Sequence, residues 1–233
     1  IGNPVGLHYH YGTLGQLEHG VNYADAYLKM IGKHSPQARP LKTWPYKKGS
    51  EVKLFILAGH RNMEGERAFI QEVGSSKNHQ SLLKNNPTIA YKYSLGGGYR
   101  KSKSWEPLGP VDFYDTFGPE LSFGQALQAK HKKNIVIAKF THSGSQIIDW
   151  TPEGSLAKSR HIYPAFINFI KETIGELQSK GQAVELAGVF YHLGENDMSF
   201  YPYRKQAAER LQSIIKQSRA DLGQPLLKWY VSQ

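Results

Sequence analysis

Apolar, β-rich runs alternate along this chain with stretches of helical period, and that alternation constrains the fold more than any other feature. The runs are "VKLFILAG" (52–59), "TIAYKYS" (88–94), "NIVIAKF" (134–140), "AVELAGVFYHLG" (183–194) and the closing "PLLKWYVSQ". Between them, Ala207, Ala208, Leu211, Ile214 and Ile215 form one stripe of a 3.6-residue period over 203–222, with similar stripes over 162–177 and 121–129. Pro119 sits where it opens the last of these. Continuous apolar strands separated by amphipathic helices predict a parallel sheet buried under helices on both faces. The expected fold class is α/β, a three-layer α/β/α arrangement with a central parallel sheet.

The rest of the chain departs from this pattern in two places. Residues 95–118, with Gly96-Gly97-Gly98, Trp105, Pro107 and Pro110, read as a long turn-rich loop forming a wall of the site. Near the start, Leu14, Leu17, Val21, Ala24, Leu28 and Ile31 mark a helix stopped by Gly32, and 33–51 read as a linker rich in Pro, Lys and Gly. The expected organisation is thus 1–32, a linker over 33–51, and a main domain over 52–233. Because the sequence opens at Ile1 without an initiator Met, a piece of a longer product is expected.

Composition narrows the chemistry. The chain has no cysteine, which excludes disulfides, thiolate metal sites and cysteine nucleophiles. Lys plus Arg number 29 against 19 Asp plus Glu, a formal charge of +10 that favours anionic partners such as acidic polysaccharide. The basic residues are dispersed and accompany no nucleic-acid motif, so no nucleic acid is expected. No apolar run is long enough to span a membrane. His8 and His10 lack a third ligand nearby, so no metal and no cofactor are expected.

Ligands of open parallel sheets bind beyond the carboxyl ends of the strands. Three such ends carry polar, Gly-bearing loops: Gly59-His60-Arg61-Asn62-Met63, "THSGSQIIDW" (141–150) and Gly194-Glu195-Asn196-Asp197. Glycine lets backbone N–H groups approach a ligand, and an Asn amide can donate to a developing oxyanion. Together these loops suit an acyl-transfer site.

These blocks, with "GPELSFGQAL" (118–127), resemble the SGNH hydrolases, in particular the carbohydrate esterases that include sialic-acid-specific O-acetylesterases and acetyl xylan esterases. The resemblance covers most of 52–233. It implies that Arg61 occupies the position of the nucleophile serine, that Gly144 supplies an oxyanion-hole N–H and that Asn196 supplies the oxyanion-hole amide. His60, Asn62, Ser145, Glu195 and Asp197 are then substrate-lining candidates, with loop-holding by Ser145, Glu195 and Asp197 as the alternative. The family's last block, Asp-x-x-His, is absent from the carboxyl terminus. A similar pattern stands at the front, where His8 takes the histidine position and Val5 that of the aspartate. This implies either a circular permutation or a cut from a tandem protein with an adjacent domain.

An arginine stays protonated and cannot attack an ester. The expectation is therefore a carbohydrate-esterase-like domain with a degenerate site, kept as a glycan-binding or structural module. The alternative is an active esterase that uses a non-standard nucleophile or a site completed by a missing segment. A secreted or periplasmic location is implied by the resemblance alone.

Overall fold

A computed structural model describes residues 39–74, 77–111, 116–131, 133–157 and 160–232. The expectations for residues 1–32, including the helix and His8, lie outside the described residues. No helix among the described residues is long and apolar enough to cross a membrane.

Seven strands form one sheet: β1 (Glu51–Gly59), β2 (Asn86–Leu95), β3 (Arg100–Lys101), β4 (Glu106–Leu108), β5 (Asn134–Thr141), β6 (Ala183–His192) and β7 (Trp229–Ser232). Their order is β3-β2-β5-β1-β6-β7, with β4 also paired to β2. The pairs β2–β5, β5–β1, β1–β6 and β6–β7 are parallel. Among the described residues the α-helices are α1 (Arg61–Glu64), α2 (Lys77–Leu82), α3 (Glu120–Lys130), α4 (Tyr163–Ser179), α5 (Glu195–Met198) and α6 (Tyr201–Asp221). This is the α/β fold expected from the alternation of runs, and each of the five apolar runs contains a strand.

Residues 95–118 need a correction. They are not one loop: β3 and β4 fold back antiparallel on β2, making the sheet mixed at that edge. Gly96, Gly97 and Gly98 all have positive φ, and this turn reverses the chain between β2 and β3. Strands of two and three residues carry too little periodicity to be read from sequence.

Side chains on successive strand residues point to opposite faces, and the core divides accordingly. Leu54, Ile56, Val136 and Ala138 join Phe166 and Ile170 of α4 and Ile214 of α6 in one apolar cluster. Leu57, Ile135, Ile137, Ile89 and Tyr91 join Leu121 of α3 in a second. The described part of the 33–51 stretch also packs on the domain. Trp44 and Tyr46 contribute to the first cluster, and the Tyr46 hydroxyl donates to the Ile135 carbonyl and accepts the Ala90 N–H.

In the order β2-β5-β1-β6-β7 the connection leaving β1 runs toward the β2 edge and the one leaving its neighbour β6 runs toward β7, so a crevice opens beyond the carboxyl ends of these two strands. Gly59 at the end of β1 lies opposite Thr141 of β5 and His192 of β6. The three loops singled out in the sequence therefore start side by side.

Candidate functional site

The site is set by how closely β6 approaches the end of β1. Gly59 has φ +146°, and a Cβ there would lie 2.0 Å from the His192 carbonyl oxygen. The His60 N–H donates to that carbonyl at 3.1 Å, and the His142 N–H donates to the Gly59 carbonyl at 3.0 Å. Only glycine permits this contact. It pins the starts of the 59–63, 141–150 and 192–197 loops together.

At the centre lies His60, with 1% of its surface exposed. Asn196 Nδ2 donates to His60 Nε2 at 3.1 Å and to the Ser145 carbonyl at 3.1 Å. Both amide hydrogens of Asn196 are thus engaged. Because Nε2 accepts, the neutral ring carries its hydrogen on Nδ1, which is buried without a hydrogen-bond partner among the described residues. Burial holds the His60 imidazole below its ordinary pKa, and the Arg61 charge adds to that effect against the opposing Glu195 and Glu66 carboxylates.

Arg61 begins α1 with about half of its side chain exposed. Its Nε lies 3.5 Å from His60 Nε2 and 3.8 Å from Glu66 Oε2. Its two terminal nitrogens make no hydrogen bond among the described residues. Ser143 Oγ reaches the same Glu66 oxygen at 3.4 Å. Gly144 has φ +79°, and its carbonyl accepts Arg160, which brings a second guanidinium to this loop.

Two candidates are structural in their side chains. Ser145 is fully buried, donating to the His142 carbonyl at 2.7 Å and accepting the Trp150 indole N–H at 2.9 Å. Asp197, also fully buried, accepts the Ile147 N–H at 3.0 Å. Burial pushes its carboxyl up despite that bond. Ser145 braces the 141–150 loop internally, Asp197 holds that loop against α5, and neither leaves side-chain surface for a ligand. Among the sequence candidates, the structure brings His60, Arg61 and Asn196 together, with Gly144 one residue before the Ser145 carbonyl that accepts Asn196.

Glu195 and Asn62 form a neighbouring cluster. The carboxylate accepts the Asn62 amide, the Gly194 N–H at 3.1 Å and His192 Nε2 at 3.0 Å. Burial works to raise the Glu195 carboxyl, but these hydrogen bonds and the nearby imidazoles outweigh it, and the net shift is downward. His192 is the last residue of β6, and in the sequence it stands out only as part of an apolar strand run. Its one signal is its place three residues before Glu195, at a strand end. Arg160, in the 151–162 loop, had no sequence signal.

Asn62, His192 and Ser232 line a cavity of about 480 Å³ with Met63, Phe190 and Tyr230. A larger depression of about 740 Å³ runs beside Ile215 and Arg219 of α6, but no hydroxyl, imidazole or carboxylate lines it. The hydroxyl, imidazole and carboxylate groups gather instead at the carboxyl ends of the strands, which makes that end the candidate site. Among the described residues no cluster of three His, Cys, Asp or Glu could hold a metal ion.

The profile of one family, described as "Carbohydrate esterase, sialic acid-specific acetylesterase", matches residues 51–233. The chain belongs to this family. No curated protein matches it. Among solved structures, a protein from Arabidopsis thaliana is similar with TM-score 0.58 and 19% identity, over 79% of this chain and 74% of that one. NanS is similar with TM-score 0.56 and 14% identity, over 81% and 69%. A carbohydrate acetylesterase from Xanthomonas citri is similar with TM-score 0.52 and 20% identity, over 76% of this chain and 40% of that longer one. At such identities the likeness is one of fold. The family match carries the further statement that this is a carbohydrate-acetylesterase-like domain.

Proposed function

We propose that this domain binds carbohydrate at the carboxyl end of its sheet, prefers anionic sugars, and has lost ester hydrolysis at the Arg61 position. The observation that carries the reading is the Arg61 side chain itself. It stands at the turn from β1 into α1, where the resemblance of Gly59 to Met63 calls for the nucleophile serine. A protonated guanidinium offers no lone pair for attack.

The surrounding geometry supports the same reading. Asn196, the oxyanion-hole amide by resemblance, gives both hydrogens to His60 and Ser145. Its donors are not aimed at a free carbonyl. Arg61 is tied only loosely to Glu66, and both side chains are more than 40% exposed. Exposed ion pairs contribute little, so an anionic ligand can displace Glu66 from the guanidinium. The planar fork of Arg suits a carboxylate or sulfate.

The test is calorimetric binding of acidic and neutral acetylated oligosaccharides to the wild type and to Arg61→Ser, at two salt concentrations. Acidic sugars are expected to bind about tenfold more tightly, the worth of one charge-assisted hydrogen bond. That preference fades with salt and disappears in Arg61→Ser. Equal affinities throughout would overturn the proposal.

A further inference from the structure

We propose that Ser232, His192 and Glu195 form a nucleophile, base and orienting acid that cleaves acyl esters at the ends of β6 and β7. Ser232 Oγ lies 2.9 Å from His192 Nδ1, and His192 Nε2 lies 3.0 Å from Glu195 Oε1. The hydroxyl, imidazole and carboxylate are thus linked in series, the order required to activate a serine.

The direction of the hydrogen bonds follows from the groups themselves. An ionised carboxylate only accepts, so the hydrogen between His192 and Glu195 belongs to Nε2. In a neutral ring Nδ1 then carries the lone pair. The hydrogen between Ser232 and His192 must therefore be the hydroxyl's, poised to move to the ring as the oxygen attacks. Glu195 is held in place from two other sides, by the Asn62 amide and the Gly194 N–H. Its lowered pKa keeps it an acceptor.

The sheet fixes this arrangement. His192 and Ser232 face each other in the parallel register of β6 and β7. Both line the cavity of about 480 Å³ whose walls include Met63, Phe190 and Tyr230. An apolar pocket beside the hydroxyl suits the acyl group. Asn62 lines it too, and only one of its two amide hydrogens is needed for Glu195, so the second is a donor for the developing oxyanion.

The step balances without any cofactor. Ser232 Oγ forms a bond to the acyl carbon as its proton passes to His192 Nδ1. The ester C–O bond breaks, and the departing alcohol takes that proton. Water then gives a proton to His192, its oxygen attacks the acyl carbon, and Ser232 leaves with the proton returned. Ester and water become acid and alcohol. This proposal draws on the carbohydrate-binding reading only for the identity of the alcohol, a sugar, and its chemistry stands apart from Arg61.

The experiment is labelling of the whole chain by a fluorophosphonate, with the modified residue located by mass spectrometry, beside turnover of p-nitrophenyl acetate. Neither probe contains a sugar, so failure here is distinct from failure of glycan binding. Label on Ser232 is expected, and turnover is expected to fall about 100-fold or more in Ser232→Ala, the scale of a lost nucleophile–base pair. Ser232 is exposed at the end of an edge strand, so this variant keeps its fold, checked by circular dichroism. A second readout uses Ser232→Cys in a chain with no other cysteine. Its alkylation by iodoacetamide is expected to slow when His192→Gln is added. Absence of label at Ser232, turnover unchanged in Ser232→Ala, or alkylation indifferent to His192→Gln would each overturn the proposal and leave the Ser232–His192 bond a stitch between two strands.

Discussion

His60 and Asn196, 136 positions apart in the chain, meet through a hydrogen bond of 3.1 Å in which the amide donates and the imidazole accepts. That bond requires a neutral His60, and the Arg61 guanidinium beside it opposes protonation further. The 59–63 and 194–197 loops are therefore coupled through one proton-free nitrogen.

The consequence is a titration below the ordinary imidazole value of 6.5. The unfolded chain binds a proton there before the folded one does, so stability rises with pH across this window. The His60 contribution is fully present above about 6.5 and is lost as pH falls toward the lowered folded value. Following the His60 ring by NMR, Arg61→Ser is expected to raise its pKa without fully restoring it, because burial is the larger cause. An unchanged pKa in that variant would remove Arg61 from the cluster.

Lys139 and Glu120 form a second buried relationship, both with 0% exposure and 2.7 Å apart. Lys139 also donates to the Glu64 carbonyl at 2.7 Å, and Glu120 accepts the Gly118 N–H at 3.0 Å. The pair thus ties α1, which carries Arg61, to β5 and α3. Lys139→Ala leaves a buried carboxylate without its cation, and a loss of about 3–5 kcal/mol is expected in denaturant unfolding. A loss below about 1 kcal/mol would show that water or rearrangement replaces the ammonium.

The strands and long helices were legible because each buries one face or both, and burial imposes a period on the sequence. Lys139 shows where that legibility ends. It sits inside the apolar run "NIVIAKF", and nothing local announces that its partner is Glu120 on the covering helix. The three site loops were legible through Gly59, Gly144 and the 194–197 block, since the carboxyl ends of parallel strands are where a crevice opens. The engagement of both Asn196 hydrogens was not, because hydrogen bonds to His60 and Ser145 exist only once β1, β5 and β6 are aligned. Ser232 likewise carries no more sequence signal than a strand end, because its contact with His192 depends on the β6–β7 register.

Gly59 makes that alignment possible, and its substitution tests the packing directly. A methyl group at 2.0 Å from the His192 carbonyl cannot be accommodated without moving β1 or β6. Gly59→Ala is expected to lower stability by about 1–3 kcal/mol and to weaken glycan binding as well. Stability equal to wild type in thermal unfolding would mean that the β1–β6 contact is looser than this packing requires.

The central claim is that Arg61 receives the anionic group of a carbohydrate, and the most direct measurement watches that side chain. With arginine side chains labelled with ¹⁵N, the Nε–H signal of Arg61 is expected to shift saturably as an acidic oligosaccharide is added, and much less with a neutral acetylated one. Raising the salt should weaken the first response. Saturable binding of the acidic sugar with the Arg61 signal unmoved would contradict the account.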